Sequence, residues 1–214
     1  MDISNKRIFF LGDSITEGVG ASAYEHCYVG LFEKNYPDAK IFNYGVSGTR
    51  IAKQTNPSME PRFDYDFNMR ADDMEENADL VVIFGGTNDF GHGDAPLGKY
   101  GDRKTDTFYG ATYVLFEKLA VKYPTAKFLV LTPMHRGDED IPNQHGRILN
   151  EYREGLIKTA EYFSFPVLDL FAVSGINPRV GEMQQRYMPD ALHPNDAGYR
   201  LLFEKVDNYI KTLL

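Results

Sequence analysis

Five short apolar runs, spaced along the chain with helical patterns between them, restrict the fold more than any other feature. They are 7–11 (RIFFL), 39–43 (AKIFN), 80–84 (LVVIF), 127–131 (KFLVL) and 166–170 (PVLDL). Each is nearly continuous rather than alternating, which suits strands buried on both faces. The clearest helical stripe is the last. There Tyr199, Leu202, Phe203, Val206, Ile210 and Leu213 recur at helical spacing, with Arg200, Glu204, Lys205 and Asp207 between. Ile148, Leu149, Tyr152, Leu156, Ile157, Ala160 and Phe163 form a second stripe. Phe108, Ala111, Leu115 and Leu119 form a third. Weaker helical candidates lie at 23–35 and 67–77. Strands alternating with helices imply βαβ units and a parallel sheet between two helical layers. The expected fold is a three-layer α/β/α sandwich with a five-stranded parallel sheet of order 2-1-3-4-5.

No linker, repeat or low-complexity tract divides the 214 residues, so one domain over 1–214 is expected. Net charge is −8. That balance argues against nonspecific binding of nucleic acid, which needs clustered Lys and Arg. The one cysteine, Cys27, excludes an internal disulfide and is expected to be a small buried hydrophobe. No apolar stretch is long enough to span a membrane. The run at 8–11 is too short for a signal-peptide core, so the mature protein is expected to start near Met1 and to be cytoplasmic.

In open α/β sheets, ligands bind beyond the carboxyl ends of the strands. The segments leaving those ends are 12–22, 44–66, 85–106, 132–144 and 171–193, and all of them exceed the usual two to six residues. They carry the candidate chemistry. Gly12-Asp13-Ser14 presents a serine where a strand turns into a helix. Helix capping would also explain that serine. Asp190-Ala191-Leu192-His193, followed by Pro194, can set a carboxylate beside an imidazole. Asn43 to Thr49 and Gly85-Gly86-Thr87-Asn88-Asp89 are glycine-bearing turns with N–H groups able to stabilise an oxyanion.

Taken together, these four blocks resemble those of the SGNH hydrolases, the GDSL esterase/lipase family. The matching blocks are Gly12-Asp13-Ser14, the turn ending at Gly48, Gly85-x-x-Asn88 and Asp190-x-x-His193, spanning residues 12–193. The resemblance implies a flavodoxin-like α/β/α fold. It implies Ser14 as nucleophile, His193 as general base and Asp190 as its orienting carboxylate. It also implies an oxyanion hole made by the N–H groups of Ser14 and Gly48 and the Asn88 amide. In the 2-1-3-4-5 order, strand five lies roughly 14 Å from strand one. The connection over 171–189 can extend to roughly 60 Å and so return Asp190 and His193 to Ser14.

Gly18 to Ala23 fits a dinucleotide-type G-x-G-x-x-A pattern but starts too far past the strand. Gly45 to Thr49 is not a G-x-S-x-G elbow, because Thr stands at its end. His92 between Asp89 and Asp94, and His135 before Asp138, Glu139 and Asp140, read as solvated loops rather than metal ligands. His26 and His145 read as surface or packing residues. No metal or cofactor is expected, since the serine mechanism needs none. Candidate substrate contacts are Asp13, Asp89, Arg136 and Tyr187. Asp89 is expected to brace its loop rather than react, and Arg136 is at least as well suited to pairing with Asp138 or Glu139. The expected partner is a small-molecule or carbohydrate ester, with short acyl groups favoured and acetyl on a sugar foremost. Longer acyl esters or thioesters are the alternative substrates. A non-catalytic acyl-sugar-binding protein on the same fold is the alternative function.

Overall fold

The structure is a computed structural model and describes residues 3–214. Met1 and Asp2, at the expected start of the mature chain, lie outside the described residues. The strands are β1 (Arg7–Gly12), β2 (Lys40–Gly45), β3 (Leu80–Phe84), β4 (Lys127–Leu131) and β5 (Val167–Leu168). All pair in parallel, in the order β2-β1-β3-β4-β5. The helices are α1 (Ser14–Glu17), α2 (Tyr28–Asn35), α3 (Phe67–Asp73), α4 (Thr87–Gly91), α5 (Phe108–Lys122), α6 (Leu149–Tyr162), α7 (Leu170–Val173), α8 (Gly181–Tyr187) and α9 (Asp196–Leu213).

Strand periodicity divides the core. Phe9, Leu11, Val81, Ile83 and Val130 face α3, α5 and α6, through Phe67, Leu115, Tyr152 and their neighbours. Ile8, Phe10, Leu80, Val82, Phe84 and Leu129 face α2 and α9, through Phe32, Tyr199, Leu202 and Val206. The sheet is therefore covered on both sides, as its continuous apolar strands require. Cys27 is buried, and its sulfur caps α2 by accepting from the Gly30 N–H (3.4 Å).

Two expectations are corrected. The fifth strand is shorter than 166–170. The Asp169 carboxylate takes hydrogen bonds from Arg153 and Thr132, and Leu170 already starts α7. The weak helix over 67–77 ends at Asp73, with Met74 extended.

Candidate active site

β1 delivers Ser14. The Asp13 carboxylate caps α1 by accepting from the Ile15 N–H (3.1 Å), and the turn leaves Ser14 largely buried as the first residue of that short helix. The loop entering α9 delivers the base. The Ser14 hydroxyl donates to His193 Nε2 (2.9 Å), and His193 Nδ1–H donates to Asp190 Oδ2 (2.7 Å). The tautomer follows from chemistry. An ionised carboxylate only accepts, so Nδ1 carries the proton and Nε2 is left free to accept from serine. Burial alone would raise the Asp190 pKa. Hydrogen bonds from the His193 backbone, the His193 ring and the Leu192 N–H outweigh it and hold the carboxyl below its usual range. Behind the imidazole, Gly20 has φ +92°, and a Cβ there would lie 2.5 Å from the Pro194 carbonyl oxygen.

The two donor turns converge from β2 and β3. Gly48 has φ +76°, and a Cβ there would sit 2.2 Å from the Phe63 ring. Only glycine fits that conformation beneath that ring. The Asn88 amide donates to the Thr49 carbonyl (3.0 Å), which ties α4 to the Gly48 turn. An amide nitrogen carries two protons, so one N–H is left for another acceptor.

The candidate substrate contacts separate. Asp13 and Asp89 are buried and do not line an open surface. Asp89 accepts from the Ile51 (3.0 Å) and Ala52 (2.9 Å) N–H groups and braces the second loop. Tyr187 packs against the α9 side of the core, and its carbonyl accepts from the Asn195 N–H (2.9 Å). Asp13 and Asp89 thus spend their carboxylates on the protein's own backbone, and Tyr187 is half-buried. Arg136 pairs with Asp138 and donates to the Thr87 carbonyl (3.0 Å). It nevertheless borders a cavity of about 290 Å³ lined by Gly137, Asp138, Asp190, Ala191 and Leu192. His26 pairs with Ser22 and Asp196, and His145 Nε2 lies 3.0 Å from the Asp94 carbonyl oxygen. Among the described residues, no group of three or more His, Cys, Asp or Glu is gathered as a metal would need.

Arg70 was not singled out in the sequence. Buried on α3, it donates to the Gly12 carbonyl (2.9 Å), the Tyr44 carbonyl, the Tyr65 carbonyl (3.1 Å) and the Thr49 hydroxyl (2.8 Å). One guanidinium thus joins the ends of β1 and β2 to the residue after Gly48. Burial pushes its pKa down to about 10, and nearby Asp13, Asp66 and Glu17 oppose the shift, so it stays charged at neutral pH.

Asp13 gives a stability test. Burial pushes its carboxyl up to about 7, against the Ile15 hydrogen bond and the Arg70 charge. Between the ordinary aspartate value and pH 7, the unfolded chain has released this proton and the folded chain has not. This group's contribution to stability therefore falls as pH rises through that window and is constant above it. Asp13→Asn keeps a cap acceptor and never ionises. It should raise Tm at pH 8, by about 2–4 °C for each kcal/mol gained at this chain length, with the gain fading toward pH 4. Thermal melts at the two pH values check it. An equal shift at both contradicts a raised Asp13 pKa.

The comparisons with known proteins agree with this architecture. The chain belongs to the GDSL-like lipase/acylhydrolase family, whose sequence model matches residues 10–201. It is accordingly a hydrolase of ester bonds. A protein of solved structure from Lactobacillus plantarum is 29% identical, covers 100% of both chains and superposes with a TM-score of 0.85. A lipase/acylhydrolase from Enterococcus faecalis is 21% identical over 98% of this chain and 97% of that one, with a TM-score of 0.66. An acetyl xylan esterase is 21% identical over 95% of this chain and 99% of that one, with a TM-score of 0.65. The last two show a shared fold. No curated protein matches the chain. Among the described residues, no helix is long and apolar enough to cross a membrane.

Proposed function

We propose that the chain hydrolyses short-acyl carboxylic esters, acetyl groups on carbohydrates foremost, through an acyl-enzyme on Ser14. The observation that carries this reading is the unbroken hydrogen-bond line Ser14–His193–Asp190. His193 Nε2 takes the hydroxyl proton as Ser14 Oγ attacks the ester carbonyl. Charge develops on the carbonyl oxygen, where the N–H groups of Ser14 and Gly48 and the second Asn88 N–H are its donors. The imidazolium, held by Asp190, then protonates the departing alcohol. Water enters, gives its proton to His193 and attacks the acyl carbon, and Ser14 leaves.

The substrate class rests on two supports. The cavity beside Asp190 sets the charged groups of Arg136, Asp138 and Asp190 among Gly137, Ala191 and Leu192, which gives a hydroxylated alcohol partners that a long acyl chain could not use. The similar fold of an acetyl xylan esterase points the same way. The test is hydrolysis of p-nitrophenyl esters from acetyl to palmitoyl. Activity centred on acetyl and propionyl is expected, and a preference for octanoyl or longer overturns the short-acyl reading. Asn88→Ala should lower turnover on the order of 10²-fold with KM little changed, because its donor acts on the transition state. Steady-state kinetics on the acetyl ester check that split.

A further inference from the structure

His92 lies one turn beyond Asn88, and its N–H donates to the Asn88 carbonyl (3.0 Å). The residue is exposed, and its ring centre stands 5.5 Å from that of Phe63. The Phe63 ring in turn packs on Gly48. An aromatic ring and an imidazole thus flank the Gly48–Asn88 pair, and the proposed chemistry uses neither.

The imidazole is oriented from behind. Arg50 is 2% exposed, and its Nη1 lies 3.0 Å from His92 Nδ1. A guanidinium only donates, so Nδ1 accepts and the ring proton sits on Nε2. Arg50 is itself held by Asp64 (2.7 Å) and by Ser58 (2.8 Å). Partial burial of the ring and the charges of Arg50 and Arg136 push the His92 pKa down to about 4. The ring is therefore neutral at physiological pH and presents Nε2–H as a donor of fixed direction.

We infer that Phe63 and His92 form a sugar subsite beside the proposed oxyanion hole, Phe63 taking an apolar C–H face of a pyranose and His92 Nε2–H donating to one of its oxygens. A pyranose offers both surfaces at once, an apolar face and a rim of acceptors, and pockets pair aromatic walls with a few fixed polar groups for such ligands. An acyl chain passing the same place would strip water from the Nε2–H without replacing its hydrogen bond, which disfavours it. The inference rests on the carbohydrate-ester reading and names the residues that would enforce it.

The test compares an acetylated methyl xyloside with p-nitrophenyl acetate in the wild type, Phe63→Leu, His92→Leu and His92→Gln. His92→Leu should lower kcat/KM on the sugar ester about tenfold, the size of one lost hydrogen bond, and leave p-nitrophenyl acetate within about twofold. His92→Gln keeps an N–H donor and should recover part of the loss. Phe63→Leu should weaken the sugar ester selectively. Equal losses on both esters, or no loss on either, overturn the subsite. If the wild type cleaves p-nitrophenyl acetate but not the sugar ester, the subsite is overturned while esterase chemistry stands. If the wild type cleaves no ester and resists an organophosphorus serine probe, the catalytic reading itself fails.

Discussion

Ser14→Ala should lower turnover of p-nitrophenyl acetate on the order of 10⁶-fold and abolish both the pre-steady-state burst and labelling by an organophosphorus probe. The expectation follows from the position of the hydroxyl. Ser14 Oγ is the only atom of that side chain that meets His193 Nε2, and alanine removes it without altering the α1 cap, which belongs to Asp13. Binding should survive, because the Gly48 turn, Asn88 and the cavity beside Asp190 are untouched. A substrate analogue should therefore bind Ser14→Ala about as tightly as the wild type. Retention of the burst in the variant would remove Ser14 from the chemistry and leave a different nucleophile to be found.

Asp190→Asn should cost on the order of 10⁴-fold in turnover while the fold is retained. One oxygen of Asp190 accepts from the Leu192 (2.9 Å) and His193 (2.7 Å) N–H groups, and the other holds His193 Nδ1. An asparagine that keeps its oxygen on the backbone donors turns its NH₂ toward Nδ1. Nδ1 must then accept, the ring proton moves to Nε2, and that nitrogen can no longer take a proton from Ser14. The loss should appear in kcat, and circular dichroism should be unchanged. A loss of less than tenfold would mean that Asp190 does not set the tautomer.

The sheet was legible because its strands are short, continuous apolar runs, and burial on both faces writes that pattern directly. The order 2-1-3-4-5 was expected as the commonest arrangement for a single domain of alternating strands and helices. The short helices α1, α4, α7 and α8 were not legible, since one or two turns carry too few residues for a helical period to show. β5 was overdrawn because PVLDL reads as a strand until Asp169 is seen paired with Arg153.

The site divides along a similar line. Ser14, His193 and Asp190 could be proposed because their strand-end blocks, in order, resemble those of the SGNH hydrolases. Arg70 could not. In the sequence it is one cation on a weak amphipathic helix, identical in kind to a solvated arginine. Only the fold shows that its guanidinium meets the carbonyls of Gly12 and Tyr44. Asp89 is a buried residue whose role could be read. Its place beside Asn88 suggested a brace for the loop, and both its oxygens accept from backbone N–H groups of a loop far away in sequence.

The buried Tyr199 on α9 reaches back to the nucleophile turn. Its hydroxyl lies 2.6 Å from the Val19 carbonyl oxygen and 3.1 Å from that of Ile15. The serine lies 179 residues before its partner His193, and the helix that anchors the serine's turn follows that histidine in the chain. The hydroxyl on the turn after β1 has its imidazole partner only when the segment carrying Asp190, His193 and α9 is docked. If Ser14 is the nucleophile, its reactivity depends on that docking, so a variant in which α9 is detached should be inert toward esters.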